Sequence, residues 1–409
     1  MTSAFVTRPL RDLIDEDLDL NDAAGEDGLL FVRDGAGFAG IGETMRVPLA
    51  KASAYLATTT CDSSVDHLGT RGMAFGWHPF DGKGGQAIVP AVIVGKAAGT
   101  QPWVTFEKHR EVETVALLMQ RQESFEKTPV DASANTTYRV KPGVEVATYL
   151  RAVETVRDAV RRGDIAKAVI ARDVVVESSE PISVHTLLKR LKASFGSSYR
   201  YSIDGLVGAS PELLVERCDD VVSSLPLAGT CPRTGNPVQD AELASQLRAS
   251  AKNQLEHRVV IDMVHDALLP WCSYLDWQPE PEVIAVANVQ HLGTRIEGRL
   301  SQPLPDVIEL VNALSPTPAL GGHPREAALR LIAATEGLNR GRYGGAVGWC
   351  DAHGNGTWAV TIRCAELSTD RRTARLFAGG GIVADSEPLS ELAETQAKFQ
   401  AMLAAIVRP

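Results

Sequence analysis

The stretch Ala374-Arg-Leu-Phe-Ala-Gly-Gly-Gly381, followed by Ser386-Glu-Pro-Leu-Ser-Glu-Leu-Ala-Glu-Thr-Gln-Ala-Lys-Phe-Gln-Ala-Met-Leu-Ala-Ala-Ile406, reads as a strand running into a helix. Three glycines at a strand end imply close backbone approach or positive φ. Pro388 is tolerated in a first helical turn, where its missing N–H has no helical partner anyway. Leu392, Phe399, Leu403 and Ile406 fall at helical spacing and form an apolar face. Glu387, Glu391, Glu394 and Lys398 recur at steps of four, three and four, so they share another face. A glycine turn facing a helix with several carboxylates and one amine suits an ion with an anionic ligand. The same charges also describe a solvated outer face with one Glu394–Lys398 pair, worth a few tenths of a kcal/mol.

Working outward, the chain has 409 residues, 44% of them hydrophobic, enough for a large core. Length alone suggests two or three domains. A net charge of −10, with no basic run, argues against nucleic acid and anionic membranes as partners. An acidic protein that binds an anion needs local cations or a metal. Met1 to Asn21 is mixed and acidic, without the apolar core of a signal peptide. The longest apolar run, Ala87 to Gly95, is broken by Pro90 and too short to span a bilayer. Cys61, Cys218, Cys231, Cys272, Cys350 and Cys364 lack CxxC spacing. This argues against a zinc site or a disulfide scaffold and fits a reducing cytoplasm.

The first third offers short strand-like pieces, Gly28–Arg33 and Ala87–Val94, with Gly76-Trp-His-Pro-Phe-Asp81 between them; Glu123–Thr137 reads as a polar loop. Val144–Arg162 reads as a helix, with Tyr149, Val153, Val156 and Val160 on one face and Gly163 as its stop. In the strand Ala166–Val176, Lys167, Val169, Ala171 and Asp173 share a face. A lysine in so apolar a strand is either desolvated, with a lowered pKa suited to a base, or snorkels into water. A helix at Ser183–Ser194 precedes a hairpin, Tyr199–Ile203 with Gly205–Ala209. Glu212 follows as a turn residue or an inward-pointing acid. Val221–Leu227 leads into Ala228-Gly229-Thr230, a small-residue turn that could offer N–H groups to an anion. Asp240–Leu269 reads as one helix ended by Pro270, carrying Glu256 and His257. Val286–Arg295 reads as a strand holding His291, and Pro316–Arg325 as a turn-rich loop. Ala327–Thr335 is helical. Arg342–Asp351 and Thr357–Glu366 pair as a hairpin, with Arg363 in line with small residues. A buried arginine demands a carboxylate or phosphate partner.

These pieces resemble the chorismate-utilising enzymes: isochorismate, salicylate, anthranilate and aminodeoxychorismate synthases. The resemblance rests on K-A-V-I-A-R from Lys167, G-A-S-P-E-L-L around Glu212, P-L-A-G-T at 226–230, Glu256-His257 and Q-H-L-G-T at 290–294. It continues through P-T-P-A-L-G-G at 316–322, Y-G-G-A-V-G-W-C-D at 343–351, T-I-R-C-A at 361–365, A-G-G-G-I-V at 378–383 and E-T-Q-A-K at 394–398. It runs in unbroken order over roughly 140–409, with G-W-H-P-F-D at 76–81 a weaker match.

The resemblance implies one large α+β fold over 1–409, with two large antiparallel sheets packed together and helices outside. It divides the chain into a divergent part, 1–140, and a motif-bearing part, 141–409. It implies chorismate as substrate and Mg²⁺ as cofactor, held by Glu256 and Glu394 with Glu391 behind them. Gly229, Thr230, Gly379 and Gly381 let backbone approach the ring carboxylate, Tyr343 and Arg363 hold the enolpyruvyl carboxylate, and Lys398 adds a cation. Lys167 matches the general base that activates water at ring C2, and Glu212 the general acid for the C4 hydroxyl. His291 matches a histidine near the substrate, for positioning or proton transfer. Ala319-Leu320 resembles the isochorismate synthase pattern, since pyruvate-eliminating members tend to carry threonine at the position of Ala319. The expectation is an isochorismate synthase, an isomerase, with salicylate synthase as the alternative. It is expected to act as a cytoplasmic monomer without an amidotransferase subunit, in siderophore or menaquinone synthesis. Gly380, where relatives often have alanine, is a departure of little expected consequence. Asn253, where relatives often carry an acid, is one that weakens support for the metal.

Overall fold

The computed structural model describes residues 4–14, 18–126 and 136–408. Its strands form a thirteen-stranded sheet, a nine-stranded sheet and a three-stranded sheet. The two large sheets pack face to face. Phe31, Phe38 and Tyr201 of the larger sheet share one core with Phe75, Val347 and Trp358 of the smaller. Across that interface Phe38 and Trp349 meet edge to face, with centroids 4.8 Å apart. The outer face of the larger sheet is covered by helices Val184–Phe195 and Pro388–Val407, through Leu187, Leu191, Phe399 and Met402. The α+β architecture is the expected one. The first third is woven into it: Leu29–Arg33 pairs with Tyr199–Ile203, and Met73–His78 with Ala346–Asp351. The apolar run from Ala87 turns at Pro90, sending Gln86–Val89 to one sheet and Val92–Lys96 to the other.

Two chain crossings between the large sheets create the site. Leu206–Ser210 lies in the larger sheet and Leu213–Cys218 in the smaller, so Pro211-Glu212 is the bridge. Gly356–Val360 lies in the smaller sheet and Cys364–Leu367 in the larger, so Thr361-Ile362-Arg363 crosses back beside it. The crossings are tied together: Val360 N–H donates to the Glu212 carbonyl, and Ala209 N–H to the Arg363 carbonyl, both at 3.1 Å. The expected continuous strand Thr357–Glu366 is therefore broken. Arg363 sits in the left-handed region at φ 51°, a conformation that reverses the regular strand alternation there.

Other expectations need correction. The single helix Asp240–Leu269 is two, Pro237–Ala249 and Ala251–Leu268. Ser250, in extended conformation, ends the first and caps the second by accepting from Asn253 N–H, a geometry serine prefers over helix interior. The strand Val286–Arg295 is the second arm of a hairpin, Glu282–Val286 with Val289–Gly293, turning at Ala287 with φ 47°. Helix Glu111–Glu126 takes the start of the segment read as a loop from Glu123; the part from 127 to 135 lies outside the described residues. On the last helix the buried stripe is Thr395, Phe399, Met402, Ala405 and Ile406. Leu392 and Leu403 flank it, half-buried, because Leu392 packs toward helix Val146–Arg162 and Leu403 toward the sheet. Glu387 is an exposed residue at the start of this helix, apart from the other charges of its stripe. Helix Val146–Arg162 buries Tyr149, Val153 and Val156 and ends at Gly163 with φ 81°, as its pattern predicts; Val160 is half-buried.

Candidate active site

A cavity of about 320 Å³ opens where the two crossings meet the glycine strand Thr373–Ile382 and the last helix. Every residue to which the resemblance assigns a role lines it. Lys167, Glu212 and His291 do so, as do Gly229, Thr230, Ala319 and Leu320. Tyr343, Arg363, Gly379, Gly381 and Lys398 complete the set with Glu256, Glu391 and Glu394.

Lys167 begins the strand Lys167–Ser178, whose long partner is Thr373–Ile382. There Val169 lies opposite Gly381. A Cβ on Gly381 would overlap Lys167 Cε and stand 2.9 Å from Nζ, so only glycine lets the lysine lie across the neighbouring strand. Burial of this amine holds its pKa below the ordinary lysine value, against the opposing pull of Glu256. Glu212 is 3% exposed. Burial pushes its carboxyl up to about 8, opposed by a hydrogen bond from Leu227 N–H and by Arg363 and Lys167. At neutral pH the pair therefore leans toward a proton-bearing carboxyl and an amine that gives up its proton more readily than a free one.

The segment Ala228–Thr230 is a bulge in a strand rather than a turn. Leu227–Pro232 pairs with Val289–Gly293, and the register shifts between Ala228 and Thr230, where Gly229 has φ 72°. Thr230 faces His291, whose Nδ1 lies 3.1 Å from Thr230 Oγ1 and 3.2 Å from the Gly229 carbonyl. A carbonyl only accepts, so Nδ1 carries the hydrogen and Nε2 is left as an acceptor. Burial pushes the imidazole down to about 3, helped by Arg363 and Lys398, which keeps it neutral.

Arg363 is the charged group that calls for a ligand. Burial lowers its pKa, and among the described residues its guanidinium makes no hydrogen bond or ion pair. Beside it, Tyr343 is buried and stacks on Phe377 at 5.2 Å. At the other end Lys398 Nζ bridges Glu394 Oε1 at 2.6 Å and the Gly379 carbonyl at 2.7 Å. Lys398 is also the main reason that the Glu394 carboxyl is held below its ordinary value. Glu391 is fixed by Ser386 Oγ at 2.7 Å, and burial raises its pKa.

The donor chemistry fits Mg²⁺. Glu256 comes from helix Ala251–Leu268, and Glu391 and Glu394 from the last helix. A Cβ on Gly380 would stand 2.7 Å from Glu391 Oε2 and 3.9 Å from Glu394 Oε1, so glycine leaves those oxygens room. Among the described residues no three metal-ligating side chains already form a cage. Spaced carboxylates that leave positions for water and substrate oxygens suit Mg²⁺ better than a closed cage does.

Sequence reasoning missed Lys252, Val169, Pro211 and Ile362, which also line the cavity. Lys252 was discoverable, standing one helical turn before Glu256 on the same face. Asn253 hydrogen-bonds Ser250 at 2.9 Å through Nδ2, so it serves the helix start. His257, next to Glu256 on the same helix, is 1% exposed. Its Nε2 meets Thr294 Oγ1 at 2.7 Å, anchoring the helix that carries Glu256.

The chain belongs to the chorismate binding enzyme family, whose model matches residues 59–407. It is 41% identical over 293 residues to the isochorismate synthase DhbC of Bacillus subtilis, covering 69% of this chain and 73% of that protein. The isochorismate synthase EntC of Escherichia coli K12 is 40% identical over 244 residues, covering 58% and 62%. The solved menaquinone-specific isochorismate synthase MenF of Escherichia coli superposes with a TM-score of 0.84, at 23% identity, over 99% of this chain and 95% of that one. At that identity the likeness speaks for the fold.

Proposed function

We propose that the protein is an isochorismate synthase, a Mg²⁺-dependent isomerase that adds water at ring C2 of chorismate and expels the C4 hydroxyl. The observation that carries this is one cavity with a desolvated lysine, a carboxyl that stays protonated near neutral pH and a guanidinium without a partner among the described residues. Lys167 takes a proton from the attacking water as its oxygen bonds to C2. Both ring double bonds shift, from C1=C2 to C1=C6 and from C5=C6 to C4=C5, the C4–O bond breaks, and Glu212 gives its proton to the departing hydroxyl, which leaves as water. General acid and base contribute roughly 10²–10⁴-fold each when their pKa values lie near the working pH. Arg363 and Tyr343 hold the enolpyruvyl carboxylate. Glu256 and Glu394 would hold Mg²⁺, which when bound would supply positive charge for the ring carboxylate. Neutral His291, with Nε2 as acceptor, positions a substrate hydroxyl and does not transfer the proton. Ala319 offers no hydroxyl to the enolpyruvyl group, which supports isomerisation without pyruvate loss. Lys167 supplies a base for water, so no ammonia-delivering subunit is required.

The test is product analysis with chorismate and Mg²⁺, with and without EDTA. Isochorismate as sole product, lost with EDTA, is expected. Salicylate with equimolar pyruvate would replace this reading by the pyruvate-eliminating one.

A further inference from the structure

A second cavity, of about 670 Å³, lies between the turn after Trp77, helix Arg325–Thr335 and the segment 336–342. It uses the Trp77-His-Pro-Phe80 stretch, which has no part in the proposed reaction. Its apolar wall is Phe80, Leu329, Ile332 and Leu338. Two of its three arginines are committed. Arg340, 2% exposed, pairs with Glu336 at 2.5 Å, and Arg342 with Glu366 at 3.0 Å. Arg325 is different. It reaches only the carbonyls of Ala313, at 3.3 Å, and Ser315, and forms no ion pair among the described residues. Two further donors on the lining are buried without a hydrogen-bond partner among the described residues, Ser315 Oγ and Trp77 Nε1. Ser315 as a whole is 3% exposed. Asp81, at the rim, is exposed beside Lys83.

We propose that this cavity binds a small aromatic monocarboxylate. The carboxylate pairs with Arg325 and takes the unused Ser315 or Trp77 donor, and the ring lies against Phe80, Leu329 and Ile332. An unpaired guanidinium, orphaned donors and an apolar wall each ask for a different part of that molecule. The two cavities share a wall. Ser315 and Pro316 line the second, and Ala319 and Leu320 line the first. Arg340 holds the carbonyls of Leu320 at 2.7 Å and Val169 at 2.8 Å, both residues of the first cavity. A carboxylate that draws Arg325 away from the Ser315 carbonyl shifts this loop, so occupancy changes chorismate affinity, and chorismate changes occupancy by the same factor.

The experiment titrates benzoate, and benzamide as its uncharged counterpart, into the full chain by calorimetry. Benzoate is expected to bind the wild type and Arg363→Gln alike, and benzamide at least about tenfold more weakly. Arg325→Gln is expected to weaken benzoate by about tenfold to a hundredfold. Ala333→Trp, which fills the cavity from an exposed helix position, is expected to abolish binding even if Arg325→Gln fails to fold. No benzoate binding at millimolar concentration, wild-type binding in both cavity variants, or loss in Arg363→Gln alone would overturn the proposal. The readout is binding, so its failure is separate from any failure of isochorismate formation.

Discussion

Replacing Glu212 by glutamine should stabilise the protein while silencing it, and the gain should grow with pH. The carboxyl is buried and pushed up to about 8 from an ordinary 4.5. Below pH 4.5 both folded and unfolded chains keep the proton. Above it the unfolded chain releases a proton that the folded one retains, so stability falls by about 1.4 kcal/mol per pH unit until the folded group ionises. The wild type is therefore penalised by about 1 kcal/mol at pH 5 and about 4 kcal/mol at pH 8. Glutamine has nothing to release and keeps an oxygen for the Leu227 N–H. Taking the difference between the two proteins cancels the titrating groups that do not feel Glu212. With about 2.1 cal/mol/K of unfolding entropy per residue, 409 residues translate 1 kcal/mol into about 1 °C. Scanning calorimetry of both proteins, free of substrate and metal, should show the Glu212→Gln midpoint pulling ahead by roughly 3 °C more at pH 8 than at pH 5. A gap that stays constant or closes as pH rises would refute the protonated-acid assignment. Such a gain in stability from silencing a buried ionisable group in an active site is a common trade-off.

Three further outcomes follow from the same geometry. Lys167→Ala should lower kcat by roughly 10²–10⁴-fold, while chorismate affinity, read by calorimetry, changes only a few-fold. Gly381→Ala should displace Lys167 and lower kcat by about tenfold or more at nearly unchanged midpoint temperature, since its Cβ meets the flexible lysine before any backbone. Glu394→Gln should raise the Mg²⁺ concentration needed for half-maximal rate and weaken chorismate binding with it; a normal Mg²⁺ requirement in steady-state assays would remove it from the metal set.

The site was more legible than the topology, for a physical reason. Lys167, Glu212, Arg363 and the glycines are unusual in their local surroundings: charges in apolar strands, or missing side chains where a strand should have them. Such conflicts show in one dimension. What turns Ser210-Pro-Glu-Leu213 into a bridge is the partner each flanking strand finds, Cys364–Leu367 on one side and Gly356–Val360 on the other. Those partners lie about 150 residues away along the chain. The same holds for Arg363, where a strand-like pattern conceals a change of sheet. The break at Ser250 is a local competition that a serine cap wins inside an otherwise helical run. In the first third, Gln86–Val89 and Val92–Lys96 read as one run because the sheet change at Pro90 leaves no mark in hydrophobicity.

In the proposed reaction, water activated by Lys167 becomes the new ring hydroxyl. The most direct measurement is turnover of chorismate in water labelled with heavy oxygen, followed by mass spectrometry of the isochorismate formed early in the reaction. One labelled oxygen on the ring at C2 is the predicted result. Isochorismate that carries only the oxygen of the original C4 hydroxyl would contradict it.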